Sequence, residues 1–330
     1  MPTQPAAVKK EVPARPGRPR PEGSATAPRW HEPLVEGVIR ASALTAIVGL
    51  FLIFVFIGKE ALPLITSPAA NQEASLGRIF ATQDGHYSWQ PVSTVPKYSM
   101  APLFVGTLKM TFVAVLFAIP LALGAALFTS EFAPDWIKEF IKPVIELLAG
   151  IPSVVLGFFA LMVMASYVQD AFGIVYRLNT ITAGMALGLA VIPIVYTMAD
   201  DALTAVPKSY REASVAMGAS PWQTAWRVVF PAALPGILAA CVLGFGRAIG
   251  ETMIVLMASG NAAIMSWDLA KPARSLSATI AAELGEVVVG SAHYHVLFLI
   301  GISLFVFTFI LNLFAHWFVS RLQKRILGTA

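Results

Sequence analysis

The sequence is poor in charge and in cysteine. Only 13% of its 330 residues are charged, whereas 57% are hydrophobic and the mean hydropathy is +0.71. Soluble domains carry about 25% charged residues, so this composition excludes an ordinary soluble protein. The single cysteine, Cys241, lies within an apolar run, which excludes a disulfide framework and favours a small packing residue.

Motifs for catalysis and for nucleotide binding are also missing. The sequence contains no Gly-x-x-x-x-Gly-Lys-Ser/Thr run, so we expect that the chain does not bind ATP itself. It has no Ser/His/Asp set with credible spacing, and Asp200-Asp201 has no third metal ligand nearby in the sequence. We therefore expect no catalytic residue, no metal site and no cofactor in this chain. An alternative from another class is a membrane-embedded lipid-modifying enzyme that uses Asp200-Asp201 as metal ligands.

Long apolar runs are what the sequence has in abundance. A helix needs about 20 apolar residues to cross a bilayer, and helices are the only option for runs of this length. The sequence therefore predicts an all-α polytopic membrane protein with six transmembrane helices. The predicted spans cover about 38–58, 103–130, 140–167, 178–199, 234–260 and 294–319.

The segments between these spans complete the predicted organisation. Residues 1–37 form a basic, Pro-rich tail that we expect to be disordered, because it has too little apolar surface to bury. The tail either contacts anionic membrane lipid or is a solvated segment that only fixes topology. We expect 59–100 to be extracytoplasmic, 101–320 to form the transmembrane core, and 321–330 to be a second tail.

Basic residues orient the spans, because cytoplasmic loops of membrane proteins are enriched in Lys and Arg. Of the 23 Lys and Arg residues, Lys109 and Arg247 lie within spans, 15 lie on the side of the N-terminus and 6 on the other side. The six are Lys59, Arg78, Lys97, Arg177, Lys271 and Arg274. This bias predicts that both termini and the 200–233 loop are cytoplasmic.

The loop 206–231 carries strong helix signals. Pro207 suits the first turn of a short helix and Gly218 suits its end. Ser220-Pro221-Trp222-Gln223 reads as a capping box that opens a second helix. Pro231 and Pro235 are predicted to stop this helix and redirect the chain into the fifth span. The loop thus predicts two short helices at a sharp angle.

The fifth span contains two charged residues, Arg247 and Glu251. Counted from Leu234 at 1.5 Å per residue, Arg247 would lie about 20 Å into the membrane core, and Glu251 one turn further on nearly the same face. A charge at this depth must face protein or water. We interpret the pair as an anion site, because guanidinium donors suit phosphate oxygens. The alternative is a buried ion pair that only fixes helix packing.

Two further residues are candidates for a substrate path. Lys109, near the outer end of the second span, either snorkels to the interface or contributes positive charge that attracts anions. Ser153 follows the Ile151-Pro152 break, where proline can kink a helix and a hydroxyl group can line a path.

The loop resembles the EAA loop of binding-protein-dependent ABC importer permeases. That pattern is Glu-Ala-Ala, three residues, Gly, nine residues, then Ile-x-Leu-Pro; here it is Glu212-Ala213-Ser214, Gly218 and Val228-Val229-Phe230-Pro231. The resemblance implies a type I ABC importer permease fold and a loop that docks into a groove of a cytoplasmic ATPase. It makes Glu212 and Ala213 surface contacts, Gly218 the bend and Pro231 the end of the motif. The alternative is an ordinary interfacial loop.

A second resemblance covers about 100–320. Residues 246–261 (GRAIGETMIVLMASGN) and 274–313 are similar to permeases of phosphate-specific (Pst) importers, most of all their C type. This implies that Arg247 and Glu251 act in phosphate translocation across the bacterial cytoplasmic membrane. It also implies an A-type permease partner, two ATPase subunits that bind ATP and Mg, and an extracytoplasmic phosphate-binding protein, with no role for nucleic acid. A permease for another oxyanion or small polar solute stays open as an alternative.

Overall fold

A computed structural model of the chain describes residues 31–82 and 85–327. Most of the predicted N-terminal tail, residues 1–30, lies outside this range. The remaining residues of that tail, 31–37, are helical, so the first helix begins earlier than predicted. Contacts divide the chain into two units, Met1–Ile53 and Phe54–Ala330. In the first unit the described residues form a single helical stretch, and all other elements belong to the second.

In the described residues the secondary structure is mostly helical, with one two-stranded antiparallel hairpin. The elements before the core are α1 (His31–Ala61), α2 (Pro63–Thr66), α3 (Pro68–Glu73), α4 (Leu76–Ile79), β1 (Trp89–Gln90) and β2 (Lys97–Tyr98). The core elements are α5 (Ala101–Glu131), α6 (Asp135–Gly150), α7 (Ser153–Phe159), α8 (Ala165–Phe172), α9 (Thr180–Thr204), α10 (Lys208–Ala216), α11 (Pro221–Thr224), α12 (Phe230–Gly250), α13 (Met253–Ala258), α14 (Leu276–Glu283) and α15 (Ala292–Leu327). Short π-helical turns at Ala160–Met164 and Ala225–Val229 join α7 to α8 and α11 to α12.

Six helices are long and apolar enough to cross a membrane, which confirms the predicted fold class. Their ranges are Pro33–Thr66, Ala101–Glu131, Ser153–Phe172, Thr180–Thr204, Pro221–Gly250 and Ala292–Arg321. The end of the bundle that carries α10 and α11 is called the loop end below, and the other is called the opposite end.

The core of the bundle is the packing of α5, α9 and α12. Four alanines of α5, Ala114, Ala118, Ala122 and Ala126, repeat every four residues and are fully buried. On α9, a Cβ added to Gly184 would lie 2.5 Å from Val113. Because no hydrophobic force drives helices together in lipid, small residues that permit close van der Waals contact hold such helices.

The third span differs from the prediction. One span with a break at Ile151-Pro152 was expected over 140–167, but Ile151 and Pro152 are extended and separate α6 completely from the spanning helix that starts with α7. The reason is that the proline ring disfavours the helical conformation of the residue before it. The spanning helix therefore begins at Ser153. The separate α6 is amphipathic, and it exposes an apolar stripe that contains Trp136, Phe140 and Leu147.

The fifth span also differs from the prediction, at both ends. Pro231 and Pro235 do not stop the helix, which runs without interruption from Pro221 to Gly250. The π-helical turn at Ala225–Val229 lies immediately before these prolines, and such local adjustments accommodate proline within membrane helices. At the other end the helix does not continue to 260, because Glu251 is extended and α13 starts afresh at Met253.

At the opposite end, the segment 59–100 is folded against the bundle. Leu64, Tyr98 and Met100 are buried in a second apolar cluster together with Leu276 of α14 and Val296 of α15. The cluster is closed by a carboxylate, Glu283, which ends α14.

Glu283 joins three elements through hydrogen bonds. Trp89 Nε1 donates to it at 3.0 Å, His293 Nε2 lies 2.9 Å from it, and the Arg274 guanidinium forms an ion pair with it. Burial alone would raise the pKa of Glu283, but these hydrogen bonds and the positive charge of Arg274 outweigh burial and lower it. The ionised carboxylate is thus the form that the folded protein favours.

Replacing Gly184 should destabilise the bundle. In Gly184→Ala the new Cβ lies 2.5 Å from Val113, so α5 and α9 must separate, and we expect a loss of about 1–3 kcal/mol. The matched control is Gly124→Ala, where a Cβ meets nothing within 4 Å. Thermal unfolding in detergent measures both, and equal midpoints for the two variants would contradict the close packing.

Acid should weaken the contact network of Glu283. The pKa of Glu283 is lower in the folded protein than in the unfolded chain. Its contribution to the free energy of unfolding is therefore complete above the ordinary glutamate pKa of about 4.3, and it is lost as the pH falls through the lower pKa of the folded state. The thermal unfolding midpoint of the wild type should therefore decrease as the pH is lowered through this range. The additional fall should be absent in Glu283→Gln, and parallel curves for the two proteins would refute this role.

Candidate translocation site and loop

Arg247 lies in the last turn of α12, within the fifth span, and its side chain is exposed. Among the described residues it makes no hydrogen bond and no ion pair. A guanidinium in a spanning helix cannot face lipid without a large cost. The exposed side of Arg247 must therefore face water or a second protein chain.

A cleft of about 630 Å³ lies between α12 and α15 next to Arg247. Its α12 wall is open because Gly246 and Gly250 have no side chains. Its α15 wall carries Thr308, Asn312 and His316, which repeat every four residues along one face. The arrangement is a polar strip beside one fixed cation, which suits a small anion with several hydrogen-bond acceptors.

The helix break beside this cleft places Glu251 differently from the prediction. Glu251 is extended, is 9% exposed and does not continue the Arg247 face by one helical turn. No ion pair joins Glu251 to Arg247 in the described part of the chain. The backbone carbonyl of Glu251 instead accepts a hydrogen bond of 2.9 Å from Ser277 Oγ of α14. This bond satisfies a carbonyl that the ended helix leaves free, which a break at membrane depth requires.

The other two predicted path residues lie away from the cleft. Lys109 is only 3% exposed, and its Nζ donates to the backbone carbonyl of Asp268 at 3.1 Å, so it does not snorkel. Ser153 is half-buried at the first turn of α7. Neither side chain lines the cleft beside Arg247, and their roles in translocation stay predictions.

The predicted site omits the α15 wall. Thr308, Asn312 and His316 are polar residues at four-residue spacing in an otherwise apolar span, and this periodicity was visible in the sequence. What the sequence does not contain is the proximity of α15 to α12.

The loop is built largely as its caps predict. Gly218 has φ +84°, which only glycine adopts readily, and it follows the end of α10. The Ser220 hydroxyl accepts from the Gln223 backbone while the Gln223 side chain accepts from the Ser220 backbone at 2.9 Å, forming the predicted capping box. Glu212 and Ala213 are exposed on α10, and Pro231 is half-buried inside the long helix.

Arg211, which the sequence prediction passed over, fixes α10 to the bundle. Its guanidinium makes two bonds to Glu131 at the end of α5, of 2.7 and 3.1 Å, and it also donates to the carbonyls of Leu203 and Val206. A hydroxyl contact of 2.9 Å between Ser214 and Thr224 joins α10 to α11. The loop is thus attached both to the core and to the helix that carries Arg247.

Asp200 belongs to a neighbouring polar network. It accepts from Thr129 at 3.0 Å and forms an ion pair of 2.7 Å with Lys142 of α6. The hydrogen bond that Lys142 donates to the Asp200 carboxylate raises the pKa of Lys142. Asp200 is therefore engaged with a cation and a hydroxyl group, and Asp201 is exposed.

The fold and the site together define a class: a six-span membrane permease with a helical loop joined to a broken spanning helix. The chain belongs to the family of binding-protein-dependent transport system inner membrane components, whose model matches residues 118–327. It is a multi-pass inner-membrane permease and, like other members of this family, is not itself an enzyme.

Relatives and solved structures agree with this family. A probable ABC transporter permease protein, YqgH, of Bacillus subtilis is 35% identical over 71% of this chain and 76% of its own length. The phosphate transport system permease protein PstC of Mesorhizobium japonicum is 31% identical over 88% of this chain and 92% of its own.

Two solved structures show the fold. The structure of a bacterial alginate ABC transporter gives a TM-score of 0.59 at 17% identity, over 90% of this chain and 98% of its own. The structure of the methionine ABC transporter MetNI gives a TM-score of 0.52 at 21% identity, over 69% of this chain and 97% of its own. They confirm the predicted ABC permease fold.

Removing Arg211 should destabilise the loop end. In Arg211→Ala the Glu131 carboxylate, whose side chain is 9% exposed, loses its partner, and breaking such a pair costs about 3–5 kcal/mol. Adding Glu131→Gln should recover part of the loss, because no unpaired charge remains. Thermal unfolding of both single variants and the double variant measures the coupling, and strictly additive effects would contradict the pair.

Proposed function

We propose that the chain is the transmembrane permease subunit of an ATP-driven ABC importer that moves inorganic phosphate across the bacterial cytoplasmic membrane. The observation that carries the proposal is a guanidinium, Arg247, that lies in a spanning helix, has no partner among the described residues and lines the cleft between α12 and α15. The curated relatives named as phosphate transport permeases support the substrate, at about 30% identity over most of the chain.

The loop end is the cytoplasmic end in this proposal. Of the 21 basic residues other than Lys109 and Arg247, 15 fall on the predicted side of the loop, and positive residues favour the cytoplasm. Trp222, Trp226 and Phe230 form a stacked and largely exposed aromatic stripe at the same end. Aromatic rings of this kind favour the membrane interface. With six spans, both termini then lie in the cytoplasm.

Phosphate recognition falls to Arg247 and the α15 wall. The guanidinium presents several N–H donors in one plane, which suits the oxygens of phosphate. The Asn312 amide adds neutral donors and an acceptor from the facing helix, whereas the Thr308 hydroxyl donates to the carbonyl of Phe305 and offers only an acceptor. Because the cleft is lined by a single cation, phosphate is held without being trapped, which transport requires. The same donors suit other small oxyanions, which are the alternative substrates.

Glu251 supplies the feature that separates phosphate from sulfate. Phosphate carries a proton at neutral pH that a carboxylate accepts, whereas sulfate has none. Lys109 and Ser153 are weaker candidates for the path: Lys109 orders the segment through Asp268, and Ser153 lies where α7 begins.

The transporter requires partners that this chain does not contain. A second, A-type permease covers the exposed side of the Arg247 cleft and completes the path. A pair of ATPase subunits binds ATP and Mg, and an extracytoplasmic protein delivers phosphate. The ATPase contacts lie on Glu212 and Ala213, with Gly218 as the bend, and motion passes along the continuous helix through Pro231 to Arg247.

Replacing Arg247 tests the proposal. A charge-assisted hydrogen bond contributes about 1.5–3 kcal/mol, so Arg247→Gln should lower binding-protein-dependent phosphate uptake by about 10- to 100-fold. The assay is uptake of radiolabelled phosphate into vesicles that contain the complete transporter. Arg321→Gln is the control, because it removes an arginine of α15 that contacts only the Trp317 ring. Equal uptake by Arg247→Gln and the control would refute the proposal.

The role of Glu251 has a separate test. In Glu251→Gln the amide oxygen accepts only a weaker, neutral hydrogen bond from the phosphate O–H, and the new NH2 group can donate to sulfate, so the preference for phosphate over sulfate should narrow while the protein still assembles. Competition of sulfate against phosphate uptake measures the preference. An unchanged preference would remove Glu251 from substrate selection and leave Arg247 unaffected.

A further inference from the structure

A second cavity, of about 470 Å³, lies at the loop end, remote in the sequence from Arg247. It is bounded by α6, the last turn of α9 and the first turn of α10. Six of its lining side chains are charged: Lys138, Lys142, Asp200, Lys208, Arg211 and Glu212. The proposed phosphate path does not use this cavity.

The charges of the cavity do not cancel. Lys142 is paired with Asp200 at 2.7 Å, and Arg211 is paired with Glu131 at 2.7 Å. Lys138 of α6 and Lys208 of α10 form no ion pair with any residue in the described ranges. One unpaired carboxylate, Glu212, stands against these two lysines. The cavity therefore has a surplus of positive charge that no described side chain satisfies.

We propose that this cavity binds a phosphate group, held by Lys138 and Lys208. Ammonium groups bind phosphate as point charges. The two lysines, set against Glu212, leave one surplus positive charge for a group that carries between one and two negative charges at neutral pH. Thr204 lines the same cavity and offers its hydroxyl group as a further donor, whereas the Ser130 hydroxyl donates to the carbonyl of Leu127. Lys142 adds a third ammonium while it keeps its bond to Asp200.

Two sources of the phosphate group reach this position. One is free inorganic phosphate on the loop side of the membrane. The other is the headgroup of an anionic lipid, because α6 exposes the apolar stripe of Trp136, Phe140 and Leu147 and such amphipathic helices lie in the membrane interface. The recognition chemistry is the same, and only the tether differs.

Occupancy of the cavity affects the loop. Lys208 opens α10, and Arg211 and Glu212 follow it on the same helix. A phosphate group between Lys138 and Lys208 ties α10 to α6, so it restrains the segment that carries the proposed ATPase contacts. The inference depends on charges at the loop end and not on Arg247, so it stands or falls separately from the proposed substrate path.

Lysine footprinting tests the site directly. The full chain is placed in nanodiscs of phosphatidylcholine alone and treated with an amine-reactive acylating reagent, and mass spectrometry follows each lysine. Inorganic phosphate in excess should slow labelling of Lys138 and Lys208 at least about twofold relative to chloride at equal ionic strength. Labelling of the exposed Lys324 should not change, which makes it the internal control.

A second arm identifies the source. Nanodiscs of equimolar phosphatidylcholine and phosphatidylglycerol, without added phosphate, should protect the same two lysines if the headgroup occupies the cavity. Protection by either agent supports the site and names its source. If neither inorganic phosphate nor phosphatidylglycerol slows the labelling of Lys138 and Lys208 more than that of Lys324, the proposal is overturned.

Thermal unfolding of variants in the presence of phosphate provides a second test of the proposed site. In an Arg247→Gln background, which removes the proposed path site, phosphate should still raise the unfolding midpoint. Adding Lys138→Gln with Lys208→Gln should abolish this rise, whereas adding Lys324→Gln should preserve it. A rise that persists without both cavity lysines would show that phosphate binds elsewhere and would contradict the assignment.

Discussion

A spanning helix cannot present a charge or an unbonded backbone group to lipid, and the fifth span of this protein contains both. Arg247 and the broken backbone at Glu251 are acceptable only if protein or water surrounds them. The structure meets the backbone requirement through Ser277 of α14, whose hydroxyl donates to the Glu251 carbonyl. The charge requirement is met by a polar cleft against α15. The position of α14 and the polar face of α15 therefore both follow from one helix.

The same helix unites the two functional regions. From Pro221 to Gly250 it is continuous, so its first turn belongs to the loop and its last turn carries Arg247. The loop is attached to the core by Arg211 and Glu131, and to the helix by Ser214 and Thr224. In the proposed mechanism, a displacement of α10 moves Arg247 without an intervening flexible joint.

The sequence allowed the six spans and the helix caps of the loop to be predicted, whereas the role of Arg247 stays a prediction. Apolar length and capping chemistry are local properties, and the bend at Gly218 follows from them. At Pro152 and Pro231 the structure differs from the prediction, because the surrounding structure decides whether a proline ends a helix. Pro152 separates two helices, because the residue before it, Ile151, is extended. Pro231 lies inside a continuous helix, because a π-helical turn precedes it. Periodicity alone does not distinguish these prolines.

The partners of the site residues were beyond such reasoning. Arg247 was expected to pair with Glu251 at a four-residue spacing, but Gly250 ends the helix between them. Lys109 was expected either to snorkel or to contribute positive charge to the path, but it is buried and donates to the carbonyl of Asp268, far away in the sequence. Asn312 and His316 reach the cleft only because α15 packs beside α12. Each of these contacts joins distant segments, and a single sequence contains no signal for them.

The most direct test is to measure from which side of the membrane the cleft is accessible in each state of the ATP cycle. Thr308→Cys, in a Cys241→Ser background, places one thiol in the cleft and keeps Arg247. A membrane-impermeant thiol reagent is applied from each side of vesicles that contain the complete transporter. Labelling should come from the loop side without nucleotide and from the opposite side with ATP trapped on the partner. Labelling from the same side in both states would contradict a helix that links the loop to Arg247.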